Sequence, residues 1–278
     1  MSKNPSFSQP TGPLSVGNVV SAALRIYRDR FKLYYGLAFT AYLWILVPIY
    51  GWAKFSAISA LISRLVFSEL HERPETVNDA RRHVNPRMWR FLWAGILVSL
   101  IFFGIALVVS IGFGLLVVVL GAILGQNSTA IIIVSLLTVI AVLVFLVVYI
   151  RLISRLFIVE VPLAIENNMT ANSAISRSWQ LTEGFVGRLQ WIVFVSFLIT
   201  LPISIVVQIV TAIIQLLLGA LFSADSPIFG LLYLVLVLAI SLASGALLIP
   251  FWQAVKAVIY YDLRSRREGL GLNLRDND

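Results

Sequence analysis

Sixty consecutive residues, 91–150, contain no charged side chain, and this feature restricts the chain to few classes of fold. A soluble domain carries about 25% charged residues, whereas this chain of 278 residues carries 12%. So little charge cannot cover a surface that faces water, so the lipid bilayer must be the solvent for much of the chain. We therefore predict an all-α, polytopic integral membrane protein.

The positive charges predict how the chain crosses the bilayer. Twenty of the 21 Lys and Arg residues fall in four clusters, within residues 1–32, 64–90, 151–188 and 256–278. Lys54 is the exception. Short loops rich in Lys and Arg stay in the cytoplasm, so we expect all four clusters to lie on the cytoplasmic side.

Three apolar segments separate the four clusters, and each has a turn signal near its middle. Each segment must therefore cross the bilayer twice. We predict six transmembrane helices arranged as three hairpins, with both termini cytoplasmic; the hairpins span about residues 33–67, 91–150 and 189–255.

The first hairpin leaves two alternatives open because it is short. It could cross fully, in which case Lys54 extends its ammonium to the outer interface. It could be re-entrant, in which case Lys54 lies deep and needs a partner. A single crossing, for five helices in total, would place Arg73 to Arg90 outside, against the charge rule.

The later limbs are longer than a bilayer needs. Residues 91–123 alone would form a helix of roughly 50 Å at ~1.5 Å per residue. We expect the excess to run along the interface, to kink, or to pack beneath the membrane, with Pro202 and Pro250 as candidate kink sites.

Two amphipathic helices are predicted beside the spans. Residues 15–32 place apolar side chains at three- and four-residue spacing, with cations on the other face. Such a helix beside a membrane lies in the headgroup plane, either recognising anionic lipid or anchoring the topology. The second runs from Ala171 to Thr182, with Thr170 as its N-cap and Gly184 as its C-terminal stop.

A short repeat marks the points where returning helices leave the lipid. Residues 152–160 and 61–69 agree at six of nine positions, and a looser copy surrounds Lys256. In each copy a cation ends an apolar run and a carboxylate follows five or six residues later. Our hypothesis is a structural ion layer in which each cation meets the acid of its own copy; the pairs are Arg64 with Glu69, Arg155 with Glu160, and Lys256 with Asp262.

Side chains suited to catalysis are scarce. The chain has no cysteine and only two histidines, His71 and His83. Both lie in a connector that we predict to be solvated and salt-bridged. We assign no catalytic residue, no cofactor and no metal ligand. Gln208 and Gln215, seven residues apart, are the best polar candidates within the spans, for a solute path or for interhelical hydrogen bonds.

The domain organisation is simple. Residues 1–13 are polar, with no apolar core for a signal peptide, and are predicted to be a disordered tail. Residues 14–270 are predicted to form a single helical membrane domain, and residues 271–278 a second tail.

Three stretches resemble a known family: LSVGNVVSAALRIYRDRF (14–31), SAISRSWQLTEGF (173–185) and IYYDLRSRREGL (259–270). The chain is similar over about residues 14–270 to the glycerophosphoryl diester phosphodiesterase membrane-domain family, in the style of cyanobacterial membrane proteins. The resemblance implies a polytopic helical membrane domain in a bacterial inner membrane or a thylakoid membrane. That family's domain is sometimes fused to a soluble phosphodiesterase barrel, for which this chain has neither room nor the His and carboxylate clusters, so the enzymatic name is not carried over.

The sequence favours three functions to different degrees. The first is a non-enzymatic scaffold, assembly factor or lipid-interacting module. Its expected partners are anionic lipid headgroups on the cytoplasmic face and other membrane proteins, and not nucleic acid. The alternative is a transporter or channel for an apolar or lipid-like solute, because the long hairpins lack the ionisable groups that a polar path needs. An intramembrane enzyme is disfavoured because paired aspartates, a Ser–His pair and a metal site are missing from the predicted spans.

Overall fold

The computed structural model describes residues 14–124, 128–223 and 226–268, and these residues form helices joined by short connections, without strands. The all-helical prediction is confirmed for this part of the chain. The predicted tails, 1–13 and 271–278, and the predicted turns around Asn127 and Asp225 lie outside the described residues.

Ten α-helices and one short 3-10 turn, at Asn85–Arg87, occur in the described ranges. The α-helices are α1 (Val16–Asp29), α2 (Phe31–Ile45), α3 (Tyr50–Leu70), α4 (Val77–Val84), α5 (Met88–Leu124), α6 (Ser128–Leu156), α7 (Glu160–Ile165), α8 (Ala171–Thr182), α9 (Val186–Leu221) and α10 (Pro227–Glu268). The predicted bounds of the second amphipathic helix are confirmed. Thr170 caps α8 through its side chain, and Gly184 turns the chain beyond it with a φ of 77°.

Most buried side chains lie in one compact part of the molecule, which we call the base. The base consists of α1–α4, α7 and α8 with the adjoining ends of the four long helices, residues 88–94, 151–156, 186–200 and 246–268. Its centre is the second half of α10, where Ala254, Val255, Ala257 and Val258 are fully buried against the surrounding helices. Ordinary close packing of apolar side chains therefore organises the base.

The remaining parts of the long helices extend from the base, and we call them the arms: residues 95–124, 128–150, 201–221 and 227–245. Leu218 is the one buried side chain among those described in the arms. Large apolar side chains are exposed along all four, with Leu216 at 74% and Ile123 at 73%. Surfaces of this kind are stable in hydrocarbon and not in water.

Four helices of the described chain are long and apolar enough to cross a membrane, and they contain α5, α6, α9 and α10. Membrane localisation is therefore supported by the structure. α2 and α3 do not reach the same length and hydropathy, and for them a full crossing stays a prediction. One end of each long helix belongs to the base, and this shortens the arms of α6, α9 and α10 to about the thickness of a bilayer core. The α5 arm, residues 95–124, stays longer at ~45 Å, and its excess length is not explained by the base.

The amphipathic helix α1 has a different partner from the one expected. Its apolar face, with Val19 and Ala23 at 0% exposure, packs against α10 and α9 and not against lipid. The Leu14 backbone N–H donates to Asp262 at 3.1 Å, and the Tyr27 hydroxyl donates to the carbonyl of Leu247 at 2.8 Å. Both ends of α1 are thus fixed to α10, while its cations face outwards.

Candidate functional site

One chain of polar contacts joins all three copies of the repeat in the base. Lys256 of the third copy forms an ion pair with Glu160 of the second, and Gln253 Nε2 donates to the same carboxylate at 2.9 Å. The side-chain carbonyl of Gln253 in turn accepts a hydrogen bond from Ser63 in the first copy. The repeated segments therefore meet, although through different partners from those that the repeat predicts.

The other predicted ion pairs are replaced by contacts between different elements. Arg64 forms two hydrogen bonds of 2.7 Å to the carboxylate of Glu75 and a third to the carbonyl of Ala164. Glu69 pairs with Arg30, which precedes α2, at 2.6 Å. The reason is helical geometry: residues three or four apart share a face, whereas residues five or six apart point in different directions.

Asp262 is the most enclosed carboxylate of the six predicted residues, with only 5% of its side chain exposed. It accepts hydrogen bonds from Arg188 at 2.6 Å, from Arg266 at 2.9 Å and from the backbone of Leu14. Arg188 also donates to the carbonyl of Leu14. This carboxylate therefore connects α10, α9 and the start of α1.

A further cluster was not predicted from the sequence. Glu166 accepts hydrogen bonds from Arg177 at 2.9 Å and from the hydroxyl of Tyr260, and Arg177 also pairs with Glu268. Arg264 joins Glu268 at 2.8 Å across one helical turn. Only the contacts four residues apart, such as Arg264 with Glu268, carry a spacing signal that the sequence could have revealed.

Arg155 differs from the other cations of the predicted ion layer. Among the described residues, no carboxylate lies within 4.0 Å of its guanidinium, which instead stacks on the ring of Trp179 at 4.2 Å from the centroid. The Ser178 hydroxyl donates to the carbonyl of Arg155 at 2.6 Å, so α8 is fixed against α6 at this point. A half-buried arginine on an aromatic face, without an acid, has donors available for an anionic ligand.

Trp179 also lines a groove where the α5 arm leaves the base. The groove has a volume of about 700 Å³, is open to the side, and is lined by Leu97, Leu100, Ile101, Asn172, Ile175, Ser176, Trp179 and Gln180. The α5 side is entirely apolar, and the α8 side adds three polar side chains. Ligand sites of this size are commonly apolar with a few polar groups that fix orientation.

The groove and Arg155 together form an amphipathic site, which we call the α5–α8 site. Leu97 and Ile101 supply apolar surface, and Trp179 connects this surface with the guanidinium of Arg155. Arg151, one helical turn before Arg155, is exposed and adds positive charge on the same helix. Such an arrangement can hold an acyl chain against the helices and a phosphate beside the guanidinium.

The two histidines lie in the base, away from this site. His71 stacks on Phe67 at 5.8 Å between ring centroids, and burial together with Arg73 and Arg264 lowers its pKa. Burial, Arg64 and Arg87 lower the pKa of His83. Among the described residues, no group of three His, Asp or Glu side chains is placed to hold a metal ion.

Gln208 and Gln215 are exposed on the α9 arm, and the described contacts include no interhelical hydrogen bond from either side chain. The hydrogen bonds expected as one role for these residues are thus not formed within the described chain. In lipid, their amides need partners from outside the described chain.

No family model, no curated protein and no solved structure was found to match this chain. The function must therefore be argued from the geometry of the chain itself.

Proposed function

We propose that this chain is a non-enzymatic, lipid-binding integral membrane protein. The arms cross the bilayer, and the base lies on its cytoplasmic face. The observation that carries the proposal is the α5–α8 site, where the ring of Trp179 both lines an apolar groove beside a span and contacts Arg155, a cation with no acidic partner among the described residues. The expected ligand is a phospholipid with an anionic headgroup, its acyl chain in the groove and its phosphate at Arg155.

The distribution of charge supports the orientation. Every described Lys and Arg belongs to the base or to the segments that connect its helices. The described residues of the arms contain no charged side chain. The positive-inside rule then favours a cytoplasmic base with both termini on that side. The four arms form two hairpins that point away from the base, and the third hairpin, α2–α3, belongs to the base.

The resemblance to the phosphodiesterase membrane-domain family is part of this proposal as a hypothesis. It implies a membrane domain and supplies no catalytic residue, which agrees with a binding role. The expected membrane is a bacterial inner or thylakoid membrane, and other membrane proteins are further expected partners.

Lipid retention during purification tests the proposed function. The protein, extracted in mild detergent, should carry tightly bound anionic phospholipid detectable by native mass spectrometry. Arg155→Gln removes a charge-assisted contact of roughly 1.5 kcal/mol, which is about a tenfold loss of affinity. Ile175→Trp should reduce retention by filling the groove.

Two variants serve as controls. Arg25→Gln removes an exposed cation on α1, far from the groove in the sequence and in a different helix, and should leave lipid retention unchanged. Arg155→Lys keeps the charge without the planar guanidinium and should retain part of the binding. Equal lipid retention in the wild type, Arg155→Gln and Ile175→Trp would refute the proposal.

Gln208 and Gln215 favour a second candidate, a transporter for an apolar or lipid-like solute. Their exposed amides give the α9 arm a polar stripe, and a helix that faces only lipid would not need one. Replacement of both by Leu should abolish lipid movement between leaflets of a proteoliposome while leaving retention at the α5–α8 site intact. Unchanged movement in that variant would remove the transport candidate.

A further inference from the structure

The turn between α2 and α3, residues 46–49, is built from apolar residues in an exposed position. Leu46 is 53% exposed, Ile49 is 61% exposed, and Trp52 in the first turn of α3 is 47% exposed. Turns that face water are usually made from Gly, Asn, Asp and Ser, whose side chains suit both the backbone and the solvent. We call residues 46–52 the hairpin tip.

Ile49 adds to this contrast because its φ of 61° and ψ of −69° form a γ-turn, in which the Tyr50 N–H donates to the carbonyl of Pro48 at 2.7 Å. This conformation is rare and strained, and a β-branched residue is poorly suited to its positive φ. An apolar side chain thus stands at a position where turn geometry favours a different residue. The hairpin tip is suited to an apolar environment at the expense of local backbone preference.

Much of the backbone of the hairpin tip is paired within the described chain, although the N–H groups of Ile49 and Trp52 are not among the bonds formed. Val47 N–H donates to Trp44, Gly51 N–H to Val47 and Ala53 N–H to Ile49, each at 3.0 Å. The indole of Trp52 donates to the carbonyl of Ile45 at 3.2 Å, near the end of α2. Internal pairing of this kind is what hydrocarbon requires of a chain reversal.

Gly51 makes the close reversal possible. A Cβ at this position would lie 1.8 Å from the carbonyl oxygen of Trp44, so only glycine allows α3 to begin so near the end of α2.

Contacts with α10 give the height of the hairpin tip relative to the arms. The Tyr42 ring lies against Gly245, where a Cβ would be 2.3 Å from the ring, and it also contacts Phe55 at 5.2 Å between centroids. The turn lies five to six residues beyond Tyr42, or ~8 Å. Pro227, at the far end of α10, lies 18 residues before Gly245, or ~27 Å. The hairpin tip therefore ends ~19 Å short of the far end of the α10 arm.

We propose that the α2–α3 hairpin is re-entrant: its tip inserts into the hydrocarbon of the leaflet on the base side and ends there. Because Gly245 marks the boundary between base and arm, the tip enters the bilayer by roughly a quarter of a ~30 Å core. The occupant of this apolar surface is the acyl region of that leaflet, which is continuous with the lipid around the arms.

Lys54 lies next to the hairpin tip. Its ammonium is 5.7 Å from the centre of the ring of Tyr50, a residue of the tip, so a re-entrant hairpin places this cation in the same leaflet with an aromatic ring as its contact. The one cation outside the four clusters then enters the membrane from the side on which the other described cations lie.

Single-cysteine labelling in sealed proteoliposomes tests the proposal, because the natural chain has no cysteine. Val47→Cys reports on the tip, Asn78→Cys on the exposed connector of the base, and Thr129→Cys on the far ends of the arms. With an impermeant maleimide, Asn78→Cys and Thr129→Cys should react from opposite faces. Val47→Cys should react from neither face, and should react fully once detergent is added.

A bimane label attached at Val47→Cys identifies what covers the tip. Nitroxides on the acyl chains should quench its fluorescence strongly, whereas a headgroup nitroxide should quench it less. Reaction of Val47→Cys from the Thr129 side would show a full crossing, and reaction from the Asn78 side would place the tip in water. Protection without acyl-chain quenching, together with disulfide crosslinking between two molecules of the Val47→Cys variant, would show a second copy at the tip; each of these results overturns the proposal.

Discussion

The base and the arms are made from the same helices and differ in what holds them in place. In the base, buried apolar side chains and ion pairs such as Asp262 with Arg188 and Lys256 with Glu160 join helices distant in sequence. In the arms, the described residues carry no charge and almost no buried side chain. Contacts in the base therefore determine how the helices are positioned. The apolar composition of the arms determines mainly that they lie in lipid.

The change of environment occurs within single helices. α10 is largely exposed before Gly245 and contains its first buried side chain at Ala246, and α9 is mostly exposed beyond Thr200. Pro202 and Pro250 lie inside α9 and α10 close to these boundaries. Kinks at the two prolines stay a prediction. The comparison between base and arms can be tested with changes that act on one region only.

Removing the most enclosed carboxylate should disturb the base most. Asp262→Asn leaves Arg188 and Arg266 without their shared acid, and breaking such a pair costs about 3–5 kcal/mol when it is fully buried. Because both arginines remain partly exposed, we expect about 3 kcal/mol, the low end of that range. Thermal unfolding in detergent measures the loss, and Asp29→Asn, at an exposed carboxylate, is the matched control. Equal melting of the two variants would mean that ion pairs do not organise the base.

Replacing an exposed leucine by arginine should impair membrane insertion in the arms and leave it unchanged in the base. Leu143 in the α6 arm and Leu24 on α1 are similarly exposed, at 57% and 43%. Leu143→Arg puts a cation near the middle of a span and should disfavour insertion by about 2.5–3.5 kcal/mol, whereas Leu24→Arg adds a cation to a surface that already carries several. The fraction of protein that resists alkaline extraction from membranes measures insertion. Similar losses in both variants would contradict the division between base and arms.

The smallest expected effect concerns pH and acts on the base alone, since the described arms contain neither histidine nor carboxylate. The folded base lowers the pKa of His71 and His83, so these two side chains bind fewer protons in the folded state than in the unfolded chain. Stability is then fully present above the unfolded pKa of about 6.5 and falls as pH drops through the lower folded values. Melting at pH 8 and pH 5.5 should show this loss in the wild type and a weaker loss in a His71→Gln, His83→Gln double variant. An identical pH slope in the double variant would assign the effect to other groups.

The sequence predicted what depends on local chemistry. The uncharged stretch 91–150 revealed the membrane class, and Thr170 and Gly184 gave both ends of α8 because capping and a left-handed glycine act over a few residues. The presence of the helices follows from similarly local features of the sequence. These features need no knowledge of the neighbours in space.

The contacts between distant elements were not predictable in the same way. The apolar stripe of α1, with Val19 and Ala23, has the same spacing whether it covers lipid or packs against α10. The repeat suggested local pairs, whereas Arg64 finds Glu75 and Lys256 finds Glu160 through the arrangement of helices. The contact of Arg155 with Trp179, without an acid among the described residues, has no signature in the sequence.

A hairpin that stops halfway through one monolayer has a mechanical consequence for the membrane. Six helical cross-sections would then displace lipid on the side of the base and only four on the opposite side. The protein would act as a tapered inclusion, spreading one monolayer more than the other. A bilayer holding many copies would bend towards the far monolayer, and the protein itself would concentrate wherever such bending already exists.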